Sequence, residues 1–225
     1  MKIRLKIPYC KQKEMTCGPS CLQQIFAYHG KIVDLDDIIK ILDKKKGFVL
    51  TGTSTWHLGF CADAFGYKSD VISYDVNIID PTWMKLSKKE LVKKITKRII
   101  LEKLSFSKTR LMAMQDYILY GGSYSFTMPS KDILLKYLKK KIPVIIRLCS
   151  TLLYNNSRID WNSCKFNDIK GYPFGHYVVV SGYENGHFII TDPSAIRGGT
   201  YKVDENKLLF SWFFWGGEML AVKRR

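Results

Sequence analysis

Apolar positions in the first third of the chain recur at the three-and-four spacing of amphipathic helices. Cys21, Leu22, Ile25 and Phe26 mark one such face. It follows Thr16-Cys17-Gly18-Pro19-Ser20, where the proline suits a first helical turn, and Gly30 offers a C-terminal stop. A second helix is predicted from Asp34 as N-cap through Ile38, Ile39, Ile41 and Leu42 to the lysines at 44–46. A third covers Thr55 to Phe65 and stops at Gly66, with Phe48 to Thr53 as a loop before it. Lys2 to Tyr9 reads as a short strand or extended arm, and Tyr67 to Asp75 as a strand. Ser87-Lys88-Lys89-Glu90 has the form of a capping box, opening a basic helix with Leu91, Val92, Ile95 and Ile99 inward. A short helix over Leu111 to Leu119 ends at Gly121-Gly122. Ser130 caps a further helix carrying Ile133, Leu134, Tyr137 and Leu138, and Pro143 to Cys149 is a buried strand. Strands then dominate: His176 to Gly182 and His187 to Asp192 about a turn at Tyr183 to Gly186, Tyr201 to Val203, and Met219 to Val222, around a short helix at Glu205 to Phe213. Helices followed by an antiparallel sheet predict an α+β fold. At 225 residues the expectation is a single domain, 1–225, with a helical insertion at about 76–129.

Hydrophobic residues make up 46% of the chain and charged residues 25%, a balance that excludes a disordered chain, a collagen-like fibre and a coiled coil. No apolar run approaches the roughly 18 residues of a membrane-spanning helix. The opening MKIRLKIPYC lacks the apolar stretch of a signal peptide, so a cytoplasmic protein is expected. Charge is less ordinary. Lysine and arginine total 36 against 20 acidic residues, giving +16, and ten of the basic residues fall between Lys85 and Arg110 against Glu90 and Glu102. Such a face attracts polyanions, whether nucleic acid, an anionic membrane surface or an acidic protein, although no nucleic-acid-binding motif accompanies it.

The six cysteines, at 10, 17, 21, 61, 149 and 164, include no C-x2-C pair and fit neither a zinc site nor a disulfide scaffold. No metal and no cofactor is expected. Cys21, Cys61 and Cys149 have apolar neighbours and read as core thiols. Cys17 differs because it opens a helix, where unpaired N–H groups and the positive end of the helix dipole favour a thiolate. Gly18 beside it would let a substrate backbone come close. A cysteine nucleophile needs a base and a group to orient that base. Of His29, His57, His176 and His187, the strongest candidate is His176, which opens the apolar strand HYVVVSG, while Asp192 closes the returning strand. The two share a face of the hairpin only if the loop is odd-numbered or a strand carries a bulge. A plain two-residue turn at Asn185-Gly186 would point them to opposite faces. Gln12, shortly before Cys17, offers a side-chain amide to a developing oxyanion. His29 and His187 read as local structure, His57 as helix surface or a buried hydrogen-bonded histidine, and the aromatic cluster at 210–215 as packing or else the lining of a substrate cleft or an interface.

These segments resemble the bacteriocin-processing, papain-like cysteine peptidases and their stand-alone relatives. The resemblance rests on QKEMTCGPSCL (12–22), IPVII (142–146), GHYVVVSGY (175–183) and FIITDPS (188–194). It implies a papain-like α+β fold, with N-terminal helices carrying Cys17 packed against an antiparallel sheet carrying His176 and Asp192. It also implies a hydrolase that cleaves a peptide or amide bond through an acyl-enzyme. By the same resemblance Cys17 is the nucleophile, His176 the general base and acid, Asp192 the orienting group and Gln12 the oxyanion donor. Members of that family place the glutamine six residues before the cysteine, where this chain has Lys11. Segments 76–129 and 151–174 have no counterpart in the minimal domain. These 225 residues hold no transporter or ATP-binding region, so export-linked leader cleavage is not expected to carry over. The expected partner is a peptide or protein substrate, with the +16 charge pointing to an acidic one. Acyl transfer and deamidation use the same triad and stay open at this point. So does a non-catalytic binding module that docks its basic helix on a polyanion.

Overall fold

Caps and breakers legible in the sequence stand at the ends of elements in the computed structural model, which describes residues 2–44, 48–49 and 52–225. The first half holds β1 (Lys2–Arg4), α1 (Cys17–Tyr28), α2 (Leu35–Lys44), β2 (Phe48–Val49), β3 (Gly52–Thr53), α3 (Thr55–Ala64) and β4 (Lys68–Ile72). A 3-10 turn (Pro81–Lys85) leads to α4 (Lys88–Leu101), α5 (Ser105–Tyr120) and β5 (Ser123–Ser125). Then come α6 (Lys131–Lys139), β6 (Val144–Cys149), α7 (Ser150–Tyr154), β7 (Ile159–Asp160) and β8 (Lys165–Phe166). The chain closes with β9 (Gly175–Glu184), β10 (His187–Asp192), β11 (Gly199–Asp204), α8 (Glu205–Phe213) and β12 (Met219–Lys223).

Both halves of the capping box open α4: Ser87 accepts from the Glu90 N–H, and the Glu90 carboxylate accepts from the Ser87 N–H at 3.0 Å. Ser130 caps α6 through the Ile133 N–H, and Gly121 ends α5 in the left-handed conformation. Two expectations change. Helix α5 starts at Ser105, a turn and a half before the predicted Leu111, because Arg110 is buried by ion pairing and so hides the apolar periodicity. The stretch from Phe48 to Thr53 is not a plain loop, since β2 and β3 pair as a short hairpin. Leu50 and Thr51 lie outside the described residues, as do the lysines at 45–46 that were to end α2.

Among the described residues eight strands form one sheet, ordered β11-β10-β9-β6-β12-β4-β5, with β1 paired to the far end of β9. Every pairing is antiparallel except β4 with β5. The separation of a helical half from a sheet half is therefore incomplete. Strands β4 and β5 arise among the helices and reach the sheet through β12, which pairs with β6 on one side and β4 on the other. Strand β6 is buried throughout, as a central strand should be, and α1 packs on β9 while α3 packs on β4 and α5. Leu91, Ile95, Leu111 and Tyr117 of the 76–129 segment belong to the same hydrophobic cluster as β6 and β9. No helix among the described residues is long and apolar enough to cross a membrane.

A buried ion network joins these layers. Arg110 of α5 pairs with Asp75 at 2.7 Å and with Glu218, which directly precedes β12. Glu218 also accepts from Thr55 Oγ1 of α3 at 3.0 Å.

Candidate active site

Helix α1 begins on Cys17, so the thiol sits among the first, unpaired N–H groups. Its sulfur accepts from the backbone N–H groups of Gly18 and Tyr177 and is hydrogen-bonded to the His176 ring. Burial pushes the thiol pKa up, yet the pairing with His176 and those two donors outweigh it and leave it below its ordinary value. Gly18 has a different task from the expected one. A Cβ there would lie 3.0 Å from Leu58 and 3.3 Å from the Tyr177 ring, so the missing side chain lets α1 close on α3 and β9 rather than admitting substrate.

Strands β9 and β10 turn through Asn185-Gly186, both left-handed at φ 47° and 78°. Glu184 pairs with His187 and Gly182 with Ile189, but from Ile190 onward the partner is Val180, leaving Ser181 as an extra residue on β9. That bulge reverses the parity of the hairpin. Continuing the register sets Asp192 level with Val178, two residues from His176 and on the same face. The condition read from the sequence is met by a bulge instead of an odd loop, and the pair is diagonal, not directly opposed. His176 Nε2 lies 2.8 Å from Asp192 Oδ1, which leaves Nδ1 for the thiol.

Both partners of this buried pair are shifted. Burial disfavours the imidazolium, but Asp192 and Cys17 outweigh it and raise His176 to about 10. Burial likewise works against the Asp192 carboxylate, and its hydrogen bonds, His176 first, hold its pKa below the usual value. Those bonds are numerous: the Tyr154 hydroxyl from α7, the Tyr201 hydroxyl from β11 at 2.6 Å and the Ser194 N–H at 2.9 Å join His176 on one fully buried carboxylate.

Gln12 lies on the rim of the same cleft, a cavity of ≈ 440 Å³ that Cys17 and His176 also line. Its backbone N–H donates to Pro193 O at 2.8 Å, which ties the loop before α1 to the residue after Asp192. Its side-chain Oε1 is buried and has no hydrogen-bond partner. The four residues singled out by sequence are thus gathered at one place. His57 borders the cleft too, whereas His187 makes the expected local contact with Asn185 O at 2.9 Å, and His29 instead reaches across the chain to Val222 O in β12 at 3.1 Å. Cys21, Cys61 and Cys149 are buried. The aromatic cluster divides: Trp212 is buried and donates to Glu218 O, while Phe210, Phe213 and Phe214 are exposed. Sequence reasoning missed Tyr154, Tyr201, Arg110 and Arg147. Only Arg147 carried a signal, as a lone charge inside the apolar run Val144 to Cys149.

The model of the family described as "Peptidase_C39 like family" matches residues 4–216. Among solved structures, a C39-like peptidase from Bacillus anthracis superposes with a TM-score of 0.54 at 16% identity, covering 100% of this chain and 98% of that one. The peptidase domain of Streptococcus ComA, a bi-functional ABC transporter involved in a quorum sensing pathway, gives 0.50 at 13% identity, with 97% and 98% covered. At these identities the likeness is one of fold. No curated protein matches the chain by sequence.

Proposed function

The chain belongs to the Peptidase_C39 like family, and from that premise we propose that it is a cysteine peptidase working through Cys17, His176 and Asp192. The observation that carries the reading is the continuous hydrogen-bonded line from the Cys17 sulfur through the His176 ring to Asp192, open to the cleft at the sulfur end. The Cys17 thiolate attacks the carbonyl carbon of a bound peptide, and the oxyanion that forms is met by the Cys17 backbone N–H and the Gln12 amide. The His176 imidazolium gives its proton to the leaving amine as the C–N bond breaks, which leaves a thioester on Cys17 and a neutral ring. That ring takes a proton from water, the resulting hydroxide attacks the thioester, and the thiolate departs with the imidazolium restored. Asp192 keeps Nε2–H occupied throughout, so that Nδ1 remains the working nitrogen. The cycle balances without metal or cofactor.

The test is cleavage of a peptide library, together with trapping of an acyl group on Cys17 and its release by hydroxylamine. Cleavage should vanish in Cys17→Ala, and a hydroxylamine-labile adduct should appear on the peptide containing Cys17. Cleavage that persists in Cys17→Ala sinks the proposal. Transfer of the acyl group to an added amine in preference to water puts an acyltransferase in its place. The lysines of α4 keep the binding-module reading in view, and steep loss of polyanion binding with salt, without any turnover, would favour it.

A further inference from the structure

One wall of the cleft, a single residue along β9 from His176, carries N–H groups that have no hydrogen-bond acceptor among the described residues. Arg147 is the lone charge in β6 and is nearly fully buried. Its guanidinium lies over the Trp215 ring at 4.8 Å and against the Phe106 ring at 5.6 Å. The nearest carboxylate, Glu218, stands 3.6 Å away, beyond hydrogen-bonding distance. Its oxygens are already engaged, one by Arg110 and the other by Thr55. Among the described residues no acceptor reaches the Arg147 donors. Beside it, Arg110 Nε and Trp215 Nε1 are buried without a partner. Gly175 explains why this wall stays open. A Cβ there would lie 3.3 Å from Arg147 Nε and 3.7 Å from Trp215 Nε1, over the donors.

A buried donor left unmade costs about 1–3 kcal/mol, more when charged, so two such donors beside a guanidinium that lines the cleft favour an outside acceptor. The planar guanidinium fork matches a carboxylate, which presents two oxygens at the same spacing. Locally Arg110 and Arg147 are balanced by Asp75 and Glu218, and the chain's +16 tips the preference towards an acid over its neutral amide. We propose that Arg147, supported by Arg110 Nε and Trp215 Nε1, forms a subsite that binds a carboxylate of the substrate close to the scissile bond. The acid is carried as a side chain or as a C-terminal carboxylate. This deepens the peptidase reading and rests on it.

The experiment uses the full chain and peptidyl acyloxymethyl ketones carrying Glu, Gln or Met at successive positions before the reactive group. Labelling of Cys17 is followed by mass spectrometry. Competitor peptides ending in a free acid or an amide test the other source of the carboxylate. Iodoacetamide labelling run alongside, with and without His176→Ala, reports the state of the thiol itself. At one position the Glu probe, or else the acid-ended competitor, should outperform its amide counterpart by about tenfold. That ratio should fall to near one in Arg147→Met and be partly kept in Arg147→Lys. Equal acid and amide rates in the wild type overturn the subsite without recourse to any variant, and so does a preference that survives Arg147→Met. If iodoacetamide labelling depends on His176 while no acid preference exists, the subsite falls and the peptidase reading stands. If labelling by every reagent ignores His176, the peptidase reading falls and the subsite with it.

Discussion

His176 is held between an acid and a thiol, and both contacts favour keeping its proton. With Cys17 lowered and His176 raised, thiolate and imidazolium coexist over a window that opens below the ordinary thiol pKa and closes towards about 10. Alkylation of Cys17 by iodoacetamide should therefore stay fast below the ordinary thiol pKa of about 8.5. In His176→Ala the burial and the two backbone donors remain while the largest opposing contact goes, so the profile should move to higher pH than in the wild type. A Cys17 that titrates identically in both proteins would contradict the pairing. The tyrosines around Asp192 make a second case. Removing one donor in Tyr201→Phe should cost about 1.5–3 kcal/mol at neutral pH, read from urea midpoints. The sign with pH follows from the lowered Asp192 pKa. Its stabilisation is present above the unfolded value of about 3.9 and is lost as pH falls through the lower folded one. The gap between wild type and Tyr201→Phe should therefore shrink in acid. Neither Tyr154 nor Tyr201 was legible in the sequence, because a hydroxyl's partner is set by which elements meet and leaves no spacing signature. Cys17, His176 and Asp192 were legible because helix start, strand start and strand end are local features.

At the scale of elements the clearest signals were caps. Ser87-x-x-Glu90 named both the start of α4 and the two bonds that make it, and Ser87→Ala should cost about 1 kcal/mol in urea unfolding with an unchanged m value. A larger loss, or a changed m value, would mean that the cap also steadies the packing of α4 on α5. The β9–β10 hairpin shows where local reading stops. Asn185-Gly186 announces a two-residue turn, which alone would set His176 and Asp192 on opposite faces. The residue that reconciles them, Ser181, carries no mark of a bulge in sequence, and its extra place is fixed by pairing with a strand on either side. Helix α5 gave the opposite lesson. Its polar first turns hid the helix because Arg110 is inward-facing for ionic reasons that hydrophobic periodicity cannot register.

At the scale of the molecule, Arg110 is where α5, the segment after β4 and the residue before β12 meet in one ion network. Arg110→Met leaves two buried carboxylates short of a partner and should destabilise the protein by about 3–5 kcal/mol, measured by urea unfolding. Adding Glu218→Met should restore part of that, and an additive double loss would show that the two do not act as one unit. The order of strands was beyond sequence reading, since β12 follows all other strands in the chain yet lies inside the sheet, between β6 and β4. That placement bears on how the protein is born. While a ribosome is still adding residues 219–223, β6 and β4 share no neighbour, and the sheet exists only as two fragments. Cys17 emerges early, its acidifying imidazole arrives at residue 176, and the strand that unites the sheet comes later still. On that order the thiol exists for most of synthesis without the imidazole that lowers its pKa.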